Sequence, residues 1–152
     1  VANPHRNKNS IYPDQVTDKN LFKQLLKHKK IVLVGSGLTG GHPIAQTLHD
    51  FRIGFINVNS RTNDPDQYYN EADIIITSVG KKVIEPTMLK KGVILINTGL
   101  RKVGTKLRGD YNEEEVKNIA SWYTQTPNGT GPLDDLFLYK NLVNAAELQL
   151  SS

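Results

Sequence analysis

The sequence contains no cysteine, which excludes disulfide bonds, thiolate metal sites and cysteine nucleophiles together. Long apolar runs are also missing. The longest, residues 72–79, is interrupted by Asp73, Thr77 and Ser78 and stays well below the ~18–20 residues that cross a bilayer. The four histidines have no metal-ligand spacing, and no G-x-S-x-G motif of a hydrolase occurs. We therefore expect neither a membrane span nor a metal site.

The charge balance is mildly basic, with 19 lysines and arginines, 15 acidic residues and a formal net charge of +4. This excess fits a solvated surface, phosphate ligands or an acidic partner. The basic residues 27–30 have no interleaved aromatic side chains, so a solvated helix end is favoured over nucleic acid as a direct ligand. A length of 152 residues with ordinary composition suits one globular domain.

The chain begins with Val1 rather than methionine. A processed protein, a proteolytic fragment and a shortened chain are the alternatives, and loss of an organellar presequence belongs to the first of them. The location is expected to be intracellular, either the mitochondrial matrix or the cytoplasm. Residues 1–16 are polar and contain Pro4 and Pro13, which predicts a loose lead-in to a domain over residues 17–150.

Short apolar segments alternate with segments of helical periodicity along that domain. We expect strands over residues 31–34, 53–58, 72–76, 92–97 and 122–126. We expect helices from Thr17 or Asp18 to about residue 30, and over residues 43–49, 85–91, 113–120 and 133–148. Strands that alternate with helices indicate βαβ units. The predicted fold class is therefore α/β, a Rossmann-type, doubly wound parallel sheet in a single domain.

A glycine-rich segment follows the first predicted strand directly. Residues 35–40 read GSGLTG, a G-x-G-x-x-G pattern with a strand before it and a helix after it. In this context Gly35 permits the tight turn, Gly37 lets the backbone approach a pyrophosphate, and Gly40 allows close packing of helix on strand. The helix N-terminus would then face the anion. The segment predicts a dinucleotide site.

The end of the second predicted strand bears on which dinucleotide binds. An NAD site usually places an acidic residue there for the ribose hydroxyls, whereas residues 57–62 read NVNSRT without an acid. Ser60 and Arg61 suit a 2′-phosphate, so NADP is preferred to NAD. Asp64 and Asp66 lie just beyond this segment, and these acidic residues weaken the argument for a 2′-phosphate.

Several segments in order resemble the C-terminal, cofactor-binding domain of the methylenetetrahydrofolate dehydrogenase/cyclohydrolase family. Residues 35–43 have the family's spacing from the first glycine to G-H-P, and residues 59–62 (NSRT) are similar to its H-S-R-T. Further similar segments are residues 71–75 (EADII), 78–81 (SVGK), 91–99 (KGVILINTG), 109–111 (GDY) and 124–132 (TQTPNGTGP). The resemblance extends over most of the chain, from residue 17 to residue 148.

The resemblance implies a one-carbon folate protein with NADP or NAD as cofactor. It places the pyrophosphate at Gly35, Ser36, Gly37, Gly40 and Gly41, and the ribose end at Ser60 and Arg61. It places the nicotinamide side at Val79 and Gly80, with Gly99 and Gly131 closing the cleft. Ser36 stands where the family has an arginine, which weakens the preference for NADP, and Asn97 stands where it has an aspartate.

The family's enzymes also have an N-terminal domain that supplies a catalytic lysine and tyrosine, and residues 1–16 offer no match to it. No catalytic residue is therefore carried over. Hydride transfer requires the substrate to be held against the nicotinamide, so this chain alone is not expected to be an enzyme. Two alternatives stay open. The chain is either the cofactor half of such an enzyme, or a stand-alone relic (a pseudoenzyme) that catalyses nothing and binds a protein partner, a second copy or a larger assembly. Whether any cofactor is bound also stays open.

Overall fold

Five parallel strands form the central sheet of the computed structural model, which describes residues 19–150. The predicted lead-in over residues 1–16 and the predicted helix cap at Thr17 or Asp18 lie outside the described residues. The helices are α1 (Lys19–Leu26), α2 (Gly41–Asp50), α3 (Asp66–Glu71), α4 (Glu113–Val116) and α5 (Gly131–Leu150). The strands are β1 (Ile31–Val34), β2 (Ile56–Val58), β3 (Ile74–Thr77), β4 (Ile94–Asn97), β5 (Arg101–Val103), β6 (Lys106–Arg108) and β7 (Trp122–Tyr123).

The order of the sheet is β2-β1-β3-β4-β7, and every neighbouring pair is parallel. The chain leaves β1 for β2 on one side and then returns to place β3 on the other side. This reversal of strand order next to β1 is the switch point at which open α/β sheets form a crevice, at the carboxyl ends of the strands. The predicted α/β, doubly wound parallel sheet is confirmed.

Both faces of the sheet are covered, as a doubly wound sheet requires. Alternate residues of a strand point to opposite faces. Accordingly, Val32 and Val34 belong to one buried cluster and Ile31 and Leu33 to another. The first cluster packs under α3 and α4 through Tyr69 and Val116, and the second under α2 through Ile44 and Leu48. Burial on both sides explains why β1 reads as an unbroken apolar run.

Helix α5 is the longest element and differs from α2 in how little of it is buried. Only Phe137 and Asn141 of its 20 residues are buried, whereas Leu136, Tyr139 and Leu142 are each about 60% or more exposed, at 59%, 68% and 64%. Within residues 19–150 no helix combines the length and the apolar character that crossing a bilayer requires.

Several predicted boundaries were wrong. The second strand begins at Ile56 rather than at residue 53, because Arg52 and Ile53 donate backbone hydrogen bonds to the last turn of α2. The helix predicted over residues 85–91 is one 3-10 turn, Pro86–Met88, after which Leu89 is extended. Helix α4 stops at Val116 and β7 at Tyr123, both earlier than predicted.

Two elements were absent from the prediction. Helix α3 has only six residues, too few for a clear helical period. The antiparallel hairpin of β5 and β6 is exposed and turns at Gly104, whose φ is 61°. Its residues lack the alternation of apolar and polar side chains that identifies a half-buried strand.

Candidate functional site

A cleft of about 580 Å³ lies at the carboxyl ends of β1, β2 and β3, at the switch point of the sheet. Its walls come from the loops that follow these strands, and from α3. The lining residues include Gly35, Ser36, Gly37, Asn59, Ser60, Asp66, Tyr69, Ser78, Val79 and Lys81. The cleft therefore brings together the glycine loop, the segment after β2 and the segment after β3, as the sequence predicts.

Three glycines of the loop are required by packing within the protein. Gly35 has a φ of 107°, and a Cβ there would lie 2.5 Å from the backbone oxygen of Ser78. A Cβ on Gly40 would overlap the Oγ of Ser78, and one on Gly41 would overlap the backbone oxygen of Gly35. These glycines hold the loop tightly against β3 and start α2, whether or not a ligand is bound.

Gly37 is different because no protein atom lies within 4 Å of the position its Cβ would take. Its carbonyl accepts hydrogen bonds from the N–H groups of Gly40 (3.3 Å) and His42 (2.9 Å), at the start of α2. In the described part of the chain the N–H groups of Ser36 and Gly37 have no hydrogen-bond acceptor. Donors without acceptors just before the N-terminus of a ten-residue helix are the groups that an anion-binding position requires.

The segment after β2 is a tight turn that joins the glycine loop. The side chain of Asn57 donates to the backbone oxygen of Gly35 at 2.9 Å. The Oδ1 of Asn59 accepts the N–H of Arg61 at 2.9 Å, and the N–H of Asn59 donates to the Oγ1 of Thr62 at 3.0 Å. Ser60 lines the cleft, whereas Arg61 is exposed beside it and is not part of the wall. The role of Asn57 was not predicted.

Acidic and phenolic groups of α3 also form the wall of the cleft. Asp66 lies in its first turn, and Tyr69 is buried behind it. Burial, together with a smaller contribution from the nearby charge of Asp66, raises the pKa of Tyr69 to about 12. The phenol is therefore neutral at physiological pH. The carboxylate of Asp66 is the feature of this wall that would repel a phosphate.

The segment after β3 is held by the buried carboxylate of Asp110. This residue belongs to a segment that resembles the family, but no role was predicted for it. The side chain of Asp110 accepts the N–H groups of Val79 (2.8 Å), Gly80 (2.8 Å) and Lys81 (3.1 Å). Burial raises the pKa of the Asp110 carboxyl, and the three N–H groups oppose that rise. These bonds fix Val79, which lines the cleft, and Gly80 beside it.

Asn97, at the end of β4, connects the backbone of Asp110 to the loop before α5. Its Oδ1 accepts from the Oγ1 of Thr77 and from the N–H of Asp110, at 3.0 and 2.9 Å. Its Nδ2 donates to the backbone oxygen of Gly99 (2.8 Å) and to the Oγ1 of Thr126 (3.1 Å). The amide is buried, and both its oxygen and its nitrogen have hydrogen-bond partners. An uncharged side chain is therefore accommodated here.

Neither of the two glycines predicted to close the cleft is among the residues that line it. Gly99 is buried against Asp110, where a Cβ would overlap both carboxylate oxygens. Gly131 is exposed at the start of α5, with no atom within 4 Å of its Cβ position. Within residues 19–150 no group of three or more histidine, aspartate or glutamate side chains is arranged to hold a metal ion.

The sequence pattern of one protein family, described as "Tetrahydrofolate dehydrogenase/cyclohydrolase, NAD(P)-binding domain", matches residues 19–150. The chain belongs to this family. The matched region includes the glycine loop, the cleft and α5. The family's description confirms the prediction that this region is an NAD(P)-binding domain.

Similar proteins share this region and extend beyond it. The bifunctional protein FolD of Mycoplasma genitalium is 38% identical over 129 residues, which are 84% of this chain and 47% of the relative. A Campylobacter jejuni bifunctional FolD crystal structure is similar with a TM-score of 0.73 and 29% identity, over 84% of this chain and 49% of the other. A silkworm 5,10-methylenetetrahydrofolate dehydrogenase has the same TM-score and identity, over 88% and 52%. The chain thus spans about half the length of the curated relatives it matches.

Proposed function

We propose that this chain binds NADP or NAD in the 580 Å³ cleft and serves as the cofactor half of a methylenetetrahydrofolate dehydrogenase/cyclohydrolase-like enzyme. In this proposal residues 17–150 are the NAD(P)-binding domain and residues 1–16 its lead-in. The folate-binding half of the active site comes from protein outside this domain. The support is family membership, together with relatives named for that activity that are about twice as long as the shared region.

The observation that carries the proposal is the open position at Gly37. Packing explains Gly35, Gly40 and Gly41, but nothing in the protein occupies the space in front of Gly37. A pyrophosphate there would accept the N–H groups of Ser36 and Gly37 and would lie on the axis of α2, where the helix dipole favours negative charge. The residues present therefore fit a dinucleotide.

The remaining cleft residues divide between the two ends of the cofactor. Ser60 and Arg61 follow β2 and would contact the adenosine ribose, as the equivalent segment does in sheets of this type. Val79 and Gly80 follow β3 and would line the nicotinamide side, held in place by Asp110. When bound, the dinucleotide supplies a hydride acceptor. This chain's residues bind it, orient it and exclude water from one of its faces.

Isothermal titration calorimetry of the purified chain with NADP and with NAD, at low salt, tests the proposal. We expect micromolar binding of at least one dinucleotide. Gly37→Ala should weaken it about tenfold or more, because the new methyl group occupies the space of the pyrophosphate. Gly54→Ala is the matched control, since its Cβ position is equally open and lies outside the cleft. The absence of heat from both dinucleotides with a folded protein would refute the proposal and favour the inert, partner-binding alternative.

The preference for NADP has its own test because Arg61 and Asp66 act in opposite directions on a 2′-phosphate. Arg61→Gln should lower the affinity for NADP about fivefold, since an exposed charge-assisted contact contributes on the order of 1 kcal/mol, and should leave that for NAD unchanged. Asp66→Asn should raise the affinity for NADP. Arg52→Gln removes an arginine outside the cleft and controls for net charge. Equal effects of Arg61→Gln and Arg52→Gln would contradict the preference.

A further inference from the structure

The exposed hairpin of β5 and β6 carries a concentrated positive charge that the cleft does not use. Residues 100–109 contain Arg101, Lys102, Lys106 and Arg108 and no acidic residue. These four charges equal the formal net charge of the whole chain, +4, so the rest of the chain is balanced. The hairpin is therefore a segment in which positive charge is not balanced by acidic neighbours in the sequence.

The register of the hairpin places like charges against each other. Arg101 lies directly opposite Arg108, and Val103 lies opposite Lys106. Because alternate residues share a face of a strand, the side chains of Arg101, Lys106 and Arg108 are on the same face. Like charges directly opposite one another destabilise a strand pair. Within residues 19–150 none of the three forms an ion pair, so no carboxylate of the described chain offsets this repulsion.

The two arginines also converge on a cavity of about 160 Å³, which is lined by Lys82, Arg101, Val103, Arg108, Tyr111 and Asn112. The Lys82 ammonium is already balanced by Glu85 and Glu115, each at 2.9 Å. The Nε of Arg101 donates to the backbone oxygen of Gly109 at 2.8 Å, which fixes the guanidinium and leaves its terminal N–H groups available. At ~30 Å³ per water, the cavity has room for one tetrahedral oxyanion.

We propose that this face of the hairpin binds a single phosphate-class oxyanion between Arg101 and Arg108. Planar guanidinium groups bind phosphate oxygens bidentately, and a bound dianion would replace the Arg101–Arg108 repulsion by attraction. Convergence on one cavity, rather than a stripe along the surface, favours one compact anion. None of the residues that line this cavity lines the dinucleotide cleft, so the proposal is independent of the proposed function.

Nuclear magnetic resonance titration of the full chain with inorganic phosphate, at constant ionic strength in chloride, tests the site residue by residue. We expect saturating shifts of the backbone amides of residues 101–108 and of the Arg101 Nε–H. Arg108→Gln should weaken phosphate binding about tenfold, as the loss of one charge-assisted bidentate contact. Arg108→Lys keeps the positive charge but cannot make the bidentate contact, so its affinity for phosphate should lie between those of the wild type and Arg108→Gln. Lys91→Gln, which removes an exposed charge elsewhere, is the matched control and should bind normally.

Three outcomes would overturn the proposal. Shifts confined to residues 35–41 would place the phosphate in the glycine loop instead. Equal weakening by Arg108→Gln and Lys91→Gln would mean that only net charge matters. Affinity that rises with the length of a linear polyphosphate would indicate a diffuse surface for polyanions. Titration of the same sample with NADP is monitored at Ser36 and Gly37, so failure at the hairpin and failure at the cleft give different spectra.

Discussion

Replacing Gly99 by alanine tests whether this glycine is required by Asp110 rather than by a ligand. A Cβ at Gly99 would lie 2.6 Å from the Cγ of Asp110 and would overlap both carboxylate oxygens. The carboxylate cannot retreat freely, because it accepts N–H groups at 2.8, 2.8 and 3.1 Å from the segment after β3. Restoring ordinary contact requires a shift approaching 1 Å, which would break at least two of these bonds.

The magnitude follows from those bonds. A hydrogen bond to a charged group contributes about 1.5–3 kcal/mol, and overpacking of a tight site costs about 1–3 kcal/mol. We therefore expect Gly99→Ala to lower the free energy of unfolding by about 3 kcal/mol. With a urea m-value of about 2 kcal/mol/M, the denaturation midpoint should fall by about 1.5 M. The amide protons of Val79, Gly80 and Lys81 should also lose protection from hydrogen exchange.

Two comparisons make the experiment decisive. Gly54→Ala, with an open Cβ position, should be neutral or slightly stabilising. In an Asp110→Ala background the added methyl group at Gly99 has room, so Gly99→Ala should then cost less than about 1 kcal/mol. A loss below about 1 kcal/mol in the wild-type background, or the same loss in both backgrounds, would refute the reasoning.

Three other substitutions probe the same region. Gly40→Ala should cost about 1–3 kcal/mol in urea denaturation because its Cβ overlaps the Oγ of Ser78, and Ser78→Ala should restore most of the loss; no rescue would contradict this contact. Asn97→Asp places a carboxyl oxygen against the carbonyl of Gly99, which raises the pKa of the new carboxyl. Its stability deficit should therefore grow from pH 5 to pH 8, and a deficit independent of pH would exclude this cause. Burial raises the pKa of Tyr111 to about 12, so the stability that its neutral phenol provides below pH 10 is lost as the pH rises from about 10 to 12. Tyr111→Phe should lose about 1 kcal/mol at pH 8 but less at pH 11.5, and an unchanged gap between the two proteins would argue against the shift.

The fold was predictable wherever a single segment contained its own signal. The run of residues 31–34 followed by GSGLTG predicted a buried parallel strand, a tight turn and a helix, because glycine spacing and an unbroken apolar run act locally. Short or exposed elements gave no such signal. In the sequence, the only signals for helix α3 are Pro65 at its cap and Asp66 in its first turn. The hairpin of β5 and β6 has no buried face.

The candidate site was predictable only in part, for the same reason. Gly35, Ser36, Gly37, Ser60 and Val79 line the cleft together, as the order of strands and loops implied. Gly99 and Gly131 were placed at the cleft by resemblance alone; neither is among the residues that line it, and their closing of a bound dinucleotide stays a prediction. Which of the cleft residues contact a dinucleotide stays a prediction.

By itself the sequence determined the α/β class, the parallel sheet and the position of the glycine loop, because these depend on patterns of three to ten neighbouring residues. Only the tertiary structure decided what Asp110 and Asn97 do, because their side-chain partners, apart from Gly99, lie 13 to 31 residues away along the chain. It also separated the glycines by cause. Gly40 and Gly99 are fixed by side chains that folding brings from other segments, whereas Gly37 faces open space that a ligand can fill. The G-x-G-x-x-G pattern does not tell whether a given glycine is required by packing or by a ligand. Only the atoms that surround the glycine in the folded protein distinguish the two cases.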